Sequence, residues 1–211
     1  MISAKEALQR LRDGNRRFVA DEQVHRPTGL QARRGDLVDG QSPFAVVLGC
    51  SDSRVPVEVV FDQSLGDLFV IRVAGNVASP SQIGSVEYAV ATFGTRLVVV
   101  MGHSNCGAVV STLDALEKGG ACSSPNLGDI VDRIRPSVES VRNDHSGLDR
   151  AQLLSRSVRA NIHGSMDDLL NGSEILRSAA EHEGLHVIGS EYSLQTGEVD
   201  FFEQDEHRPG A

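Results

Sequence analysis

FAVVLGCSDSRV, Phe44 to Val55, opens with a continuous apolar run and changes character at a glycine. A run without polar alternation suits a strand buried on both faces of a parallel sheet. Past Gly49 come Cys50, Asp52 and Arg54, a thiol, an acid and a base at alternate positions. A second stretch repeats the arrangement. LVVVMGHSNCG, Leu97 to Gly107, carries an apolar run through Gly102 into His103 and Cys106. In open α/β sheets, ligands collect outside the carboxyl ends of the strands. If these two strands are neighbours, Cys50, Asp52, His103 and Cys106 converge on one point.

The flanking sequence supplies the rest of such a sheet. DLFVIRV, Asp67 to Val73, reads as another strand. Ser79-Pro80 reads as a helix start, with Pro80 at the first helical position and Gln82 placed to close a capping box. Ile83, Val86, Val90 and Phe93 then share a face, and Gly94 ends the helix. Helices are expected at 108–116, 127–141, 149–170 and 173–183, followed by strands at His186 to Tyr192 and Glu198 to Phe202 around Gln195-Thr196-Gly197. Ala7, Leu8, Leu11 and Phe18 fall at helical spacing in an N-terminal helix from Ala4 to Val19. The fold class is α/β, a mainly parallel β-sheet flanked by helices, with an antiparallel C-terminal edge strand and an N-terminal helical arm. Residues 1–211 read as a single domain, with the arm at 1–20 and a polar connecting segment at 21–43.

The chain has 211 residues and a formal charge of −9. The acidic balance disfavours a nucleic-acid or anionic-membrane surface, since both need a basic footprint. No apolar stretch is long enough to span a bilayer. The N-terminus is charged throughout and lacks an apolar signal core, so a cytoplasmic location is expected. Three cysteines, Cys50, Cys106 and Cys122, make no disulfide framework and point to free thiols or metal ligands in a reducing compartment.

Two thiolates and one imidazole suit zinc, and three protein ligands with one open position is the catalytic arrangement. A helix following Cys106 favours its thiolate form. Asp52 is close enough in sequence to reach the open zinc position or to accept a hydrogen bond there. Arg54 can hold it back in a charge-assisted pair. Taken singly, each residue has a plainer reading: Cys50 as a buried small hydrophobe, Asp52 as a turn residue, Arg54 as a solvated charge, His103-x-x-Cys106 as chance. Two ligand clusters at two buried strand ends favour the metal site.

CSDSRV together with HSNCG resembles the β-class carbonic anhydrases, in the pattern of their plant-like and actinobacterial-like members. EALQRLRDGNRRF, FDQSLGDLFVIRVAGN and SVEYAV extend the likeness, which covers most of the chain and weakens after about residue 120. The resemblance implies reversible hydration of CO2 to bicarbonate and a proton. It implies one Zn2+ per subunit, and a homodimer or tetramer with the active site at the subunit interface. Carried over by residue, Cys50, His103 and Cys106 ligate zinc, and Asp52 and Arg54 form a dyad in which Asp52 is a fourth ligand only in a closed state. Gln41 hydrogen-bonds substrate, and Phe69, Ala74, Gly75, Tyr88 and Gly107 line its pocket. Some bacterial members have a regulatory bicarbonate site built on a tryptophan, an arginine and a tyrosine. Val47 stands at the tryptophan position here, with Arg72 and Tyr192 at the others, so that regulation is not expected. Arg72 reads equally as an ion-pair partner and Tyr192 as core.

Two other functions compete: a same-fold hydrolase acting on CS2 or COS, and a non-catalytic zinc-binding or redox protein with Asp52 as a fourth ligand. His25 is a weak candidate for proton transfer. Cys122 reads as a surface thiol, and His145, His163, His182, His186 and His207 as ordinary polar positions.

Overall fold

The two apolar runs lie side by side. In the computed structural model, which describes residues 2–25, 30–119, 122–145 and 147–202, β1 (Ala45–Gly49) sits between β2 (Leu68–Arg72) and β3 (Leu97–His103), parallel to both. β4 (His186–Tyr192) extends the sheet in parallel from β3, and β5 (Val199–Phe202) closes it as an antiparallel edge. The order is β2-β1-β3-β4-β5. The chain leaves β1 toward one edge and β3 toward the other. The carboxyl ends of these two strands therefore flank the crevice where a sheet of this kind opens.

Both faces of the sheet are covered, which is why β1 and β3 carry no polar alternation. Val46, Leu48, Val98 and Val100 point into one core; Ala45, Val47, Leu97, Val99 and Met101 point into the other. Helix α1 (Ala4–Val19) covers the second face through Ala4, Ala7 and Leu11. Its start is fixed by a capping box between Ser3 and Glu6. The connecting segment contains a helix that the sequence did not announce, α2 (Leu30–Asp36). Pro27 lies outside the described residues. A one-turn helix, α3 (Val57–Val60), follows the Cys50–Arg54 loop.

The first face is covered by α4 (Pro80–Phe93), α5 (Gly107–Lys118), α6 (Pro125–Asp144), α7 (Arg150–Gly172) and α8 (Glu174–His182). α4 begins at Pro80 and ends at a left-handed Gly94, as expected, but without the expected capping box. Instead, the Ser79 hydroxyl donates to Gln82 Oε1. His163 also departs from expectation. It is buried in α7 with its ring 4.9 Å from that of Phe202. His207 falls outside the described residues.

Candidate metal centre

β3 keeps its strand geometry through His103, two residues further than its apolar run, and α5 takes Cys106 as its N-cap. Asn105, at φ +56°, makes the sharp turn between them. His103 and Cys106 thus stand on either side of one strand-to-helix corner. From the neighbouring strand, Cys50 follows Gly49 directly. The three donor atoms, two sulfurs and an imidazole nitrogen, lie within 4.8 Å of one another, and all three residues are buried.

Two of the three side chains, His103 and Cys50, are oriented by a neighbour. His103 Nδ1 lies 3.0 Å from the Ser104 carbonyl, so the proton-bearing nitrogen is Nδ1 and Nε2 is the free donor. Nε2 is buried and has no hydrogen-bond partner. A buried polar atom with nothing to bond is costly, and a cation relieves it. The Gly75 amide donates to Cys50 Sγ at 3.4 Å.

The two thiols compete for one charge. Cys106 hydrogen-bonds to Cys50 and holds the Cys50 thiol down to about 4, while the same contact and burial push Cys106 up. The amides of Ala108 and Val109 at the start of α5 pull Cys106 the other way, as the helix argument expects, but they are outweighed. Both sulfurs ionise together only beside a positive ion. Burial lowers the His103 imidazole, and the Cys50 sulfur with the Asp52 carboxylate raises it further, for a net rise. The donor set therefore fits a divalent, thiolate-preferring ion such as zinc.

Asp52 borders this set without joining it. Arg54 Nε and Nη2 donate to its two oxygens at 2.9 and 2.7 Å, and the Arg54 amide adds a bond of 2.9 Å to Oδ1. Oδ2 lies 3.8 Å from His103 Nε2. The Arg54 side chain holds Asp52 well below the usual carboxylate range. The loop carrying both is held from β2. Arg72 Nε donates to the Cys50 carbonyl at 3.1 Å and Nη2 to the Asp52 carbonyl at 2.7 Å. Arg72 is thus a backbone clamp rather than the ion-pair partner its charge suggested. Val47 is fully buried, and Tyr192 packs in the same core with its ring 6.5 Å from that of Phe18.

Gly75 is bonded to Cys50 Sγ, Gly107 follows Cys106, and Ala74 precedes Gly75 in the same short 3-10 turn. Ala74, Gly107 and Ala108 also line a cavity of about 480 Å³, as does Cys122. Gln41 is elsewhere. It is exposed, and it precedes β1, whose five residues put about 16 Å of strand between it and Cys50. Phe69 and Tyr88 join Phe93 in an aromatic group, ring centroids 5.5 to 6.2 Å apart, with Tyr88 half exposed.

Residues 45–199 match the family model described as carbonic anhydrase. The chain belongs to the carbonic anhydrase family. The match runs from the first residue of β1 to the first of β5, well beyond residue 120. The carbonic anhydrase of Mycolicibacterium smegmatis is 40% identical over 92% of this chain and 91% of its own length. Carbonic anhydrase 2 of Mycobacterium tuberculosis is 38% identical, covering 90% of this chain and 89% of its own. Among solved structures, the β-carbonic anhydrase CcaA superposes with a TM-score of 0.75 at 26% identity, over 97% of this chain and 94% of that one. The Coccomyxa β-carbonic anhydrase, in complex with acetazolamide, gives 0.68 at 27%, over 89% and 82%. This carbonic anhydrase is thus of the β class in fold as well as in motif.

Proposed function

We propose that this enzyme performs the reversible hydration of CO2 to bicarbonate and a proton on one zinc ion held by Cys50, His103 and Cys106. The observation that carries the reading is the convergence of these three buried donors from two strand ends, with His103 Nε2 unsatisfied by the protein. Bound there, zinc supplies an open coordination position at which water is acidified to near neutrality.

The surrounding residues supply orientation. Asp52, kept ionised by Arg54, accepts hydrogen bonds and does not donate them, so it fixes a proton of the reacting water on its own side. The Arg54 fork keeps the carboxylate from turning into the ligand set. Ala74, Gly75 and Gly107 present small surfaces and backbone to the substrate, leaving room for a small apolar molecule.

Gln41, Phe69 and Tyr88 complete the pocket from a second copy of the chain. The argument is distance. Gln41 lies at the far end of β1 from its own Cys50, and the half-exposed Tyr88 ring is available for burial by a neighbour. Residues 1–211 form one domain in this reading. The arm at 1–20 packs on the sheet, and 21–43 leads into β1. The free thiols suit the reducing cytoplasm.

Stopped-flow CO2 hydration with elemental analysis of the same sample tests the reaction. One zinc per chain, loss of activity on chelation and recovery with zinc are expected. Mixing tests the shared pocket. Cys106→Ala and Gln41→Ala chains, each deficient alone, should regain about a quarter of wild-type activity when co-assembled as dimers, because half the dimers are mixed and each holds one intact site. No recovery removes Gln41 from the neighbour's site.

A further inference from the structure

Helix α7 carries none of the motif residues, yet two consecutive residues of it touch both legs of the metal centre. Ile162 packs so closely on Gly102 that a Cβ there would fall 2.7 Å from Ile162 Cδ1. Asn161 Nδ2 donates to the Gly75 carbonyl at 2.8 Å, across 86 residues of sequence. Asn161 is 3% exposed and shares the buried stripe of α7 with Val158, Ile162 and Ser165. A buried amide is costly unless it is hydrogen-bonded, and this one is spent on a single glycine.

That glycine is the donor to Cys50 Sγ. Gly75 adopts φ +72°, and a Cβ on it would lie 2.7 Å from Ile134 Cδ1 and 3.0 Å from Ala108 Cβ. Only glycine fits, but glycine adopts either sign of φ with similar ease. The conformation that aims its N–H at the sulfur needs outside support. Asn161 gives it at the carbonyl, and the Asn76 amide, bonded to the Val73 carbonyl at 3.1 Å, closes the same turn.

We infer that Asn161 is a positioning residue for the metal centre: by fixing the Gly75 carbonyl it keeps the Gly75 N–H on Cys50 Sγ and so sets how strongly that sulfur donates to a bound divalent cation. The inference rests on the reading of Cys50, His103 and Cys106 as ligands. An N–H···S bond draws electron density off a thiolate, and the turn that makes it holds the sulfur in place before metal arrives. Outer-shell partners of this kind are worth about 10- to 100-fold in metal affinity or activity.

The test uses the full chain loaded with cobalt(II), whose sulfur-to-metal charge-transfer absorption reports thiolate donor strength. Zinc affinity by chelator competition and the Tm of metal-free protein are measured alongside. Asn161→Asp keeps the shape and replaces the donating nitrogen with an oxygen. It should move the band to longer wavelength and weaken zinc binding about 10- to 100-fold. Asn161→Ser keeps a donor and should move both less. A lower Tm with wild-type band and wild-type zinc affinity in Asn161→Asp overturns the inference, since the role is then packing alone. If Asn161→Asp does not fold, a folded Asn161→Ser with unmoved band and affinity overturns it equally. A wild-type chain without any thiolate band overturns the metal-centre reading and this inference together. A wild-type band with unmoved variants overturns this inference only.

Discussion

His103 and Cys106 stand on regular secondary structure, one closing β3 and the other capping α5, whereas Cys50 stands in a loop whose shape is imposed from β2 and the turn after it. The first leg is rigid because the strand ladder and the helix are rigid. The second is held by backbone bonds between Val73 and both Gly49 and Ser51, and beyond them by Arg72 and Gly75. The same leg carries Asp52 and Arg54, which in the proposed reaction orient the reacting water, and their loop is tied to β2 by side-chain as well as backbone hydrogen bonds. In the proposed reaction ligation needs both legs, and the loop adds the residues that orient the water.

Substitutions that separate the legs sharpen this contrast. The largest effect belongs to the rigid one. Cys106→Ala should lose metal and CO2 hydration together, both to background, read by elemental analysis and stopped flow on one preparation. Retention of a full zinc equivalent would remove Cys106 from the ligand set. On the loop leg, Asp52→Ala should keep the metal and lose about 100-fold in hydration rate. A normal rate would end its role in orienting water.

Arg72→Met probes the clamp. It removes two hydrogen bonds to the Cys50 and Asp52 carbonyls, at a cost of about 1–2 kcal/mol in folding stability by denaturant melts. Zinc affinity should fall with it, while a packing substitution of equal stability cost under α8 should leave zinc affinity unchanged. Equal losses from both would erase the distinction between the legs.

The smallest effect is a pH dependence. Because Arg54 depresses the Asp52 carboxyl, the pair adds stability that is present above the unfolded carboxylate value of about 3.9 and fades as pH falls toward the folded value. The stability difference between wild type and Asp52→Asn should be flat from pH 5 to 8 and shrink only in acid. A difference that changes near pH 7 would show that the pair titrates in the working range. Arg54 is largely exposed and solvent screens the pair, so the flat portion should be small.

Much of this was legible in the chain because it depends on short spans. The apolar runs before Cys50 and His103 mark buried parallel strands, since only a strand covered on both faces dispenses with polar alternation. Asp52 and Arg54 are two residues apart, and their pairing follows from reach. Arg72 was different. Its charge suggested a carboxylate partner, yet it binds two backbone carbonyls, which leave no mark in the sequence. α2 was hidden in a segment whose glycines and charges read as connection. Asn161 left only a faint sign, one polar side chain among several on the buried stripe of its helix, with nothing to say which distant carbonyl it satisfies.

By itself, the sequence determined which residue types meet at the strand ends, the α/β class and the family, because side-chain chemistry and periodicity are local properties. The tertiary structure decided that β1 and β3 are neighbours, that His103 presents Nε2, that Asp52 turns to Arg54 and that Gln41 lies away from its own Cys50. Those outcomes depend on strand order, backbone carbonyls and packing between segments far apart in the chain, and no local pattern of residues encodes them.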